Sequence, residues 1–362
     1  MTLGVLGGGQ LARMLAIAAA PLGINVRCYD PSPNACAGDL CELVAGSFDD
    51  EDTLKRFADG LSAVTYEFEN VPSTAVRFLE SCVPVRPGLA SLERSQDRAL
   101  EKPLLTEAGF EVAPWRAVDS RADLLDAIEA IGTPAILKTR RGGYDGKGQA
   151  IIGSPADADR AWASIESRPA VLESMLTFQR ELSLVAIRGL DGSIASYPLV
   201  ENEHRQGILR VTLAPASGVS PSLQAQAESM AAALLESLEH VGVLTIEFFL
   251  LGDRLVANEF APRVHNSGHW TIDGATTSQF ENHVRAVLGL PLGPTTLRTP
   301  TVMLNCVGAM PSAEAVLAEP RAKLHDYRKP ARPGRKVGHV NVPGLEFGDA
   351  YELAERLGID LG

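Results

Sequence analysis

The sequence predicts an α/β protein of several domains, and three stretches carry that prediction. Residues 3–30 run strand, glycine turn, helix, strand. Residues 134–152 place a loop with four glycines between two short apolar strands. Residues 243–260 read as two strands around the turn Gly252-Asp253, a hairpin. At 362 residues the chain has room for two or three domains, each with its own core.

Composition narrows the classes. With 45% hydrophobic and 22% charged residues, this is an ordinary globular chain. A net charge of -12 argues against a nucleic-acid partner, because neutralising phosphates needs a basic surface. The five cysteines are odd in number and form no CxxC pair, which reads as reduced thiols in a cytoplasmic protein. No apolar stretch reaches the roughly 18 residues of a membrane span, so no membrane is expected. The first strand opens at Leu3, and no signal or transit peptide is expected. Lys102, Lys138, Lys147, Lys329 and Lys336 all fall in or beside the motifs below, in a chain whose basic residues are mostly arginine.

In the N-terminal third, Leu3 to Leu6 is a strand, Gly7-Gly8-Gly9-Gln10 turns it into a helix from Leu11 to Ala20, and Ile24 to Tyr29 is the next strand. A glycine turn at a helix N-terminus suits an anion. Gly7-x-Gly9-x-x-Ala12 with Asp30 about 20 residues on is an imperfect dinucleotide fingerprint, so the turn holds a dinucleotide, another phosphate, or only close packing. Gln10 and Arg13 lie in the first helical turn. Ala63 to Pro72 runs from strand into a loop with Glu67, Glu69 and Asn70, where open α/β sheets place ligands. Val83 to Pro87 is a last short strand. Ser95 to Arg98 opens a helix carrying Lys102, and a domain of residues 1–102 ends here.

Residues 103–290 form the second domain, with a lid over about 103–175. Pro134 to Leu137 delivers Lys138, and the loop with Gly142, Gly143, Gly146 and Gly148 follows, with Lys147 near its tip. Glycine permits positive φ and close approach, so the loop can aim N–H groups at phosphate oxygens; otherwise it is a flexible surface loop. Its spacing is not that of a Walker loop. Val171 to Leu176 is a strand end where Glu173 and free backbone groups can take an adenine edge. Glu181 on the next strand can accept ribose hydroxyls. His204 lies between two further strands. Ser220-Pro221 caps a long helix to about His240.

The hairpin is the most informative element. A register that pairs Leu251 with Leu255 sets Glu247 opposite Glu259. Two facing carboxylates call for a cation between them, and hard oxygen ligands suit Mg²⁺ on a substrate's phosphates; the alternative is a buried pair sharing a proton. Ala261 to Trp270 then crowds Arg263, His265, Asn266 and His269 into one loop. Past residue 290, Thr301 to Cys306 is a strand, Ser312 caps a short helix, and Arg328 to Lys336 is a basic segment broken by prolines and a glycine, which reads as a shaped anion loop.

Together these residues resemble the ATP-grasp superfamily and, within it, the 5-(carboxyamino)imidazole ribonucleotide synthetase family of purine biosynthesis. The resemblance covers nearly the whole chain. It rests on Gly7 to Met14, Tyr66 to Val71, Gly142 to Gln149, Asn258 to Thr271, and Arg332 to His339. It implies an ATP-grasp fold, an N-terminal Rossmann-like domain and a small C-terminal domain over 291–362. It also implies an ADP-forming carbon-nitrogen ligase that acts through carboxyphosphate, uses Mg²⁺ (with Mn²⁺ as a possible substitute) and forms a homodimer.

By that resemblance ATP meets Arg98, Lys138, Gly143, Tyr144, Asp145, Gly146, Lys147, Gly148, Gln149, Glu173, Ser174, Met175, Leu176, Glu181, His204, Asn258 and Glu259. Glu247 and Glu259 hold the metal. The ribonucleotide meets Gln10, Glu67, Tyr144, Asp145, Lys329, Arg335 and Lys336; the catalytic residues are Lys138, which stabilises the transferring phosphoryl charge, and Arg263, His265 and Asn266 near bicarbonate. Ala12 stands where glycine is common, and Ala261 where many relatives have an asparagine ligand. The competing readings are a formate-using ligase of the same fold, an NAD-dependent oxidoreductase built on the first turn, and a silent nucleotide-binding regulator.

Overall fold

The structure is a computed structural model that describes residues 1–143, 147–345 and 347–362. Its first 66 residues build a parallel sheet of Thr2–Leu6, Asn25–Asp30, Glu42–Ala45 and Ala63–Tyr66, with Thr2–Leu6 between the second and fourth. Leu3, Val5, Leu6, Val64 and Tyr66 are fully buried, as a parallel sheet covered on both faces requires. The last short strand expected over Val83–Pro87 is instead a single bridge between Val64 and Val85. Pro84 and Pro87 bracket it and lack the N–H groups a longer ladder needs. A helix not expected from the sequence, Leu89–Gln96, leads into Arg98–Glu107, and Asp97 between them caps the second by accepting from the Ala99 N–H at 3.0 Å.

The lid is a second sheet, ordered Trp115–Val118, Ala170–Ser174, Ala135–Thr139, Gln149–Ile152 and antiparallel throughout. Helices Arg121–Ile131 and Ala158–Ser164 supply its core with Leu124, Ile128 and Ala161. The third sheet is the largest, with ten strands. Its centre is Arg180–Arg188 against Gly242–Leu251, flanked by Val200–Arg205 on one side and Arg254–Ala261 on the other. Helix Pro221–Ser237 covers one face, where Leu223, Leu234 and Leu235 meet Leu184, Leu244 and Phe248. Side chains alternate across a strand, so Ser183, Thr245 and Glu247 point to the opposite face.

The C-terminal segment keeps an apolar cluster of its own, including Val302, Val340, Leu353 and Leu357. Its sheet is shared, however: Thr301–Val307 pairs with Ile208–Ala214, and Lys336–Pro343 and Lys323–Asp326 continue outward. The hairpin register also differs from the expected one near its turn. Leu251 pairs with Arg254 and Leu250 with Leu255, and Gly252 has φ +62° in the turn. A bulge then places one extra residue, Asn258, on the second strand, and beyond it Glu247 does face Glu259.

Two buried histidines fix the N-terminal part to the large sheet, His283 through the strand Ala63–Tyr66 and His240 through the helix Leu89–Gln96. His283 accepts from the Val243 N–H at 3.0 Å, so its other nitrogen donates to Thr65 Oγ1 at 2.8 Å. His240 donates to the Val243 carbonyl at 3.0 Å and accepts from Ser91 Oγ at 2.9 Å. Burial pushes His240 down to about 4 and His283 to about 3. Both are neutral in the fold, whereas an unfolded histidine takes its proton near pH 6.5. The stability they contribute is therefore complete above about pH 6.5 and declines as the pH falls toward the folded values. Thermal melts should give a constant midpoint from pH 8 to 7 and a falling one from about pH 6.5 to 4. A midpoint unchanged over that lower range would show that neither histidine is held neutral.

Candidate active site

Between the small antiparallel sheet and the hairpin, two lysines share one carboxylate. Lys138 Nζ stands 3.0 Å from Glu173 Oε2 and 3.2 Å from Asn258 Oδ1. Lys102 Nζ lies 3.3 Å from the same Glu173 oxygen and donates to the Asn258 carbonyl at 2.8 Å. All three charges are buried. Burial pushes the Glu173 carboxyl up, but Lys138, Lys102 and Arg98 outweigh it and hold it at about 2. Lys138 is pushed down by burial, with Lys102 and Arg98 adding to the effect against Glu173. Cations thus exceed anions here, which leaves room for a polyphosphate.

The bulge makes this possible, since it lets consecutive residues Asn258 and Glu259 both serve the cleft. Glu259 accepts from Arg98 Nη1 at 2.7 Å, and Glu247 lies 3.1 Å from His265 Nε2. Burial would raise Glu247, but His265, His204 and Lys336 bring it to about 2. Two carboxyl groups on facing strands are hard oxygen donors that fit a cation such as Mg²⁺. Ala261 brings no third ligand, and among the described residues no group of three or more His, Cys, Asp or Glu is arranged to hold an ion. Phosphate oxygens would have to complete such a shell.

Around the nucleotide end, His204 Nδ1 and Glu181 Oε2 are in close contact, and that bond raises His204 against its burial. The reading of Glu173 as an adenine acceptor does not hold for its side chain, which is turned to the lysines. The Ser174 and Met175 N–H groups bond to the Pro114 and Pro134 carbonyls at 2.9 and 3.1 Å. In the glycine loop, Gly148 has φ +72°, and a Cβ there would meet Thr139 Oγ1 at 2.6 Å, so only glycine fits. Gly143 lines the cleft, and Lys147 and Gln149 are exposed beside it. Tyr144, Asp145 and Gly146 lie outside the described residues.

Toward the middle of the cleft, Arg263 Nε and Glu69 Oε2 form a close ion pair that links the two large domains. Asn266 is less available than expected: its amide exchanges hydrogen bonds with Asn305 at 3.0 and 2.6 Å. Glu69, Arg98, Glu247, Glu259, Arg263 and His265 line one cavity.

The far end joins the first helix to the C-terminal basic segment. Lys329 Nζ donates to Gln10 Oε1 at 2.8 Å, and the charges of Arg332 and Arg335 act on Lys329, which burial also pushes down. Lys336 is close enough to act on His204 and Glu247. Glu67 sits beside them but has a second task. Its carboxylate accepts from the Gly9 N–H and, at 2.9 Å, from the Ala12 N–H, while Asp30 accepts from the Gly8 N–H at 2.8 Å. A Cβ on Gly9 would lie 2.6 Å from Glu67 Oε1. The glycine turn therefore admits the protein's own carboxylates, which take the Gly8, Gly9 and Ala12 N–H groups that a dinucleotide pyrophosphate would need.

Sequence reasoning missed Glu101 and Asn305, placed Glu69 at a ligand-binding strand end without foreseeing Arg263 as its partner, and assigned no role to Lys102 or Asp97. Glu101 is buried, its carboxyl is pushed up to about 8 by burial, and it accepts from the Phe260 N–H at 2.7 Å. Asp97 holds Arg140 at 2.8 Å and Arg141 at 3.2 Å. The available signal was charge on a helix face, and that becomes informative only once the face is known to be buried.

Three family models match in chain order: a ribonucleotide synthetase preATP-grasp domain over 1–96, an ATP-grasp domain over 103–280, and a phosphoribosylaminoimidazole carboxylase C-terminal domain over 301–350. An N5-carboxyaminoimidazole ribonucleotide synthase from Pseudomonas aeruginosa is 48% identical over 99% of this chain and 98% of its own. The chain belongs to the N5-carboxyaminoimidazole ribonucleotide synthase family. The crystal structure of the Thermus thermophilus synthetase matches with a TM-score of 0.94 at 50% identity, covering 98% of this chain and 97% of that one. The Aspergillus clavatus synthase, solved with ADP and 5-aminoimidazole ribonucleotide, matches at 0.90 and 33% identity, covering 98% and 97%. Family members are ATP-dependent, ADP-forming ligases, and the oxidoreductase reading falls here as well as at the filled glycine turn.

The shared carboxylate should dominate stability. Glu173→Ala leaves two buried ammonium groups without their anion, and breaking such a pair costs ~3–5 kcal/mol. Urea denaturation should show that loss, whereas Arg121→Ala at the exposed pair with Asp159 should leave the midpoint in place. Equal midpoints for the two variants would mean that Glu173 is not the ionised centre of the cluster.

Proposed function

We propose that this enzyme carboxylates the amine of 5-aminoimidazole ribonucleotide with ATP and bicarbonate, giving N5-carboxyaminoimidazole ribonucleotide, ADP and phosphate in purine biosynthesis. One observation carries the reading. Arg98, Arg263 and His265 line one cavity with Glu247 and Glu259, Lys138 and Lys102 meet on Glu173 and the adjoining Asn258, and Lys329 joins Gln10 close to Arg335.

A bicarbonate oxygen attacks the γ-phosphorus, the bond to the β-bridging oxygen breaks, and ADP leaves. Lys138 and Arg98 stand where charge moves between the phosphates. Arg263 faces the bicarbonate oxyanion and then the carboxyphosphate. The amine nitrogen attacks the carboxyl carbon, the carbon–oxygen bond to phosphate breaks, and the nitrogen gives up a proton. Carboxyphosphate hydrolyses easily, so closure of the glycine loop over the cleft excludes water. Glu247 and Glu259 would hold Mg²⁺, or Mn²⁺ in its place, and the ion when bound neutralises phosphate charge. Lys329, Arg335 and Lys336 would take the ribonucleotide phosphate, with Gln10 and Glu67 toward its sugar. Glu181, His204 and the Glu173–Leu176 backbone would take the nucleoside of ATP.

We assign domains of 1–102, 103–290 and 291–362. Five free thiols suit the reducing cytoplasm, and no helix among the described residues is long and apolar enough to cross a membrane. We expect a homodimer.

The primary test is ADP release from ATP, Mg²⁺ and bicarbonate, with and without aminoimidazole ribonucleotide. Strong stimulation by the ribonucleotide, lost in Glu259→Ala, is expected; release indifferent to it would sink the substrate assignment. Lys329→Ala should raise KM for the ribonucleotide by about ten-fold or more, as loss of a charge-assisted contact does, and leave KM for ATP unchanged. A rise confined to KM for ATP would move Lys329 to the nucleotide end.

A further inference from the structure

Below the cleft, the large sheet is polar where apolar residues would ordinarily stand. Ser183, Asn202 and Thr212 sit on three adjacent strands and are buried, as is Ser267 in the loop above them. Polar groups are costly to bury unless bonded, and none of these four touches the substrates in the scheme above. They form a line. Thr212 Oγ1 is 2.9 Å from Asn202 Oδ1, and Asn202 Nδ2 is 2.9 Å from Ser183 Oγ. Ser183 Oγ is 2.7 Å from Ser267 Oγ, which is 2.9 Å from His265 Nδ1. His265 Nε2 then reaches Glu247, the residue paired with Ser183 across the sheet.

Hydroxyls donate or accept, and an amide group fits either way round, so such a line has two possible directions. One group settles the choice. The backbone N–H of Ser267 points at His265 Nδ1 from 3.3 Å, and a backbone N–H only donates. Nδ1 is therefore an acceptor, and Nε2 carries the hydrogen toward Glu247. The Ser267 hydroxyl then donates to Nδ1 and accepts from Ser183. Ser183 accepts from the Asn202 amide nitrogen, and the Asn202 oxygen accepts from Thr212. Every bond follows from the first.

We propose that Thr212, Asn202, Ser183 and Ser267 are positioning residues, a relay that holds the His265 ring as the Nε2–H tautomer aimed at Glu247. The relay fixes the ring that orients one of the paired carboxylates, as outer partners orient ligands elsewhere. Its value for turnover rests on the carboxylation reading above; its geometry does not.

The test uses the full-length protein with ¹⁵N-labelled histidine, followed by nuclear magnetic resonance without substrates. The His265 signals are assigned by their loss in His265→Gln. The ring Nδ1 should resonate as an unprotonated nitrogen and Nε2 as an N–H. Ser267→Ala keeps the backbone N–H and loses the hydroxyl. It should move both signals toward a tautomer average and lower kcat about ten-fold with KM for ATP unchanged. Thr212→Val, the same shape at the far end of the line, should move them less in the same direction, and it decides the matter if Ser267→Ala does not fold. A wild-type ring with its hydrogen on Nδ1, or identical ring signals in wild type and both variants, would overturn the relay. Ring signals that behave as expected in an enzyme unresponsive to the ribonucleotide would keep the relay and remove the carboxylation reading.

Discussion

The whole site depends on one buried cluster, in which Lys138 and Lys102 share the Glu173 carboxylate and both reach Asn258. Lys138 and Glu173 come from neighbouring lid strands, Lys102 from the helix after the first domain, and Asn258 from the large sheet. Three parts of the chain are thus joined by charges that would be prohibitively costly to bury apart. A buried ion pair adds little net stability over well-packed apolar side chains. Its contribution here is geometric: it fixes the lid base against the hairpin and leaves an uncompensated cation facing the cleft. The hairpin bulge is the enabling detail, because an unbroken ladder would turn Asn258 to the opposite face from Glu259.

Similar logic governs the glycine turn near the start of the chain. Its exposed N–H groups attract carboxylates, and the protein supplies its own from Asp30 and Glu67. Sealing the turn in this way ties the strands Asn25–Asp30 and Ala63–Tyr66 to the helix Gln10–Ala19. It also brings Glu67 and Gln10 to the edge of the cleft, where Lys329 arrives from the far end of the chain. A turn that resembles a dinucleotide site thereby becomes a scaffold for one end of another site.

Much of this was legible beforehand, for physical reasons. The strand–loop–strand around Lys138, the facing of Glu247 and Glu259, and the capped helix after Ser220 follow from local periodicity and turn chemistry. What failed depended on partners distant in sequence. The Glu173 carboxylate looked available to adenine because nothing local shows that Lys102 and Lys138 converge on it. Asn266 looked available because Asn305 is distant in the chain. The short strand near Val85 failed on a local rule, two prolines that remove donors. The hairpin register near the turn was wrong by one residue, and the bulge concealed the error at the glutamates.

The shared sheet explains why the C-terminal segment belongs to the site at all. Three strands after residue 300 extend the sheet that carries Glu181, His204 and Glu247, so the basic loop between the outer two is held in a fixed place. From there Lys329 reaches the first helix, and Lys336 acts on His204 and Glu247. The N-terminal sheet is held by His283 at Thr65, and the helix Leu89–Gln96 that follows it by His240 at Ser91. The basic loop and the N-terminal part are therefore both attached to the same large sheet, and Lys329 meets Gln10 where they come together.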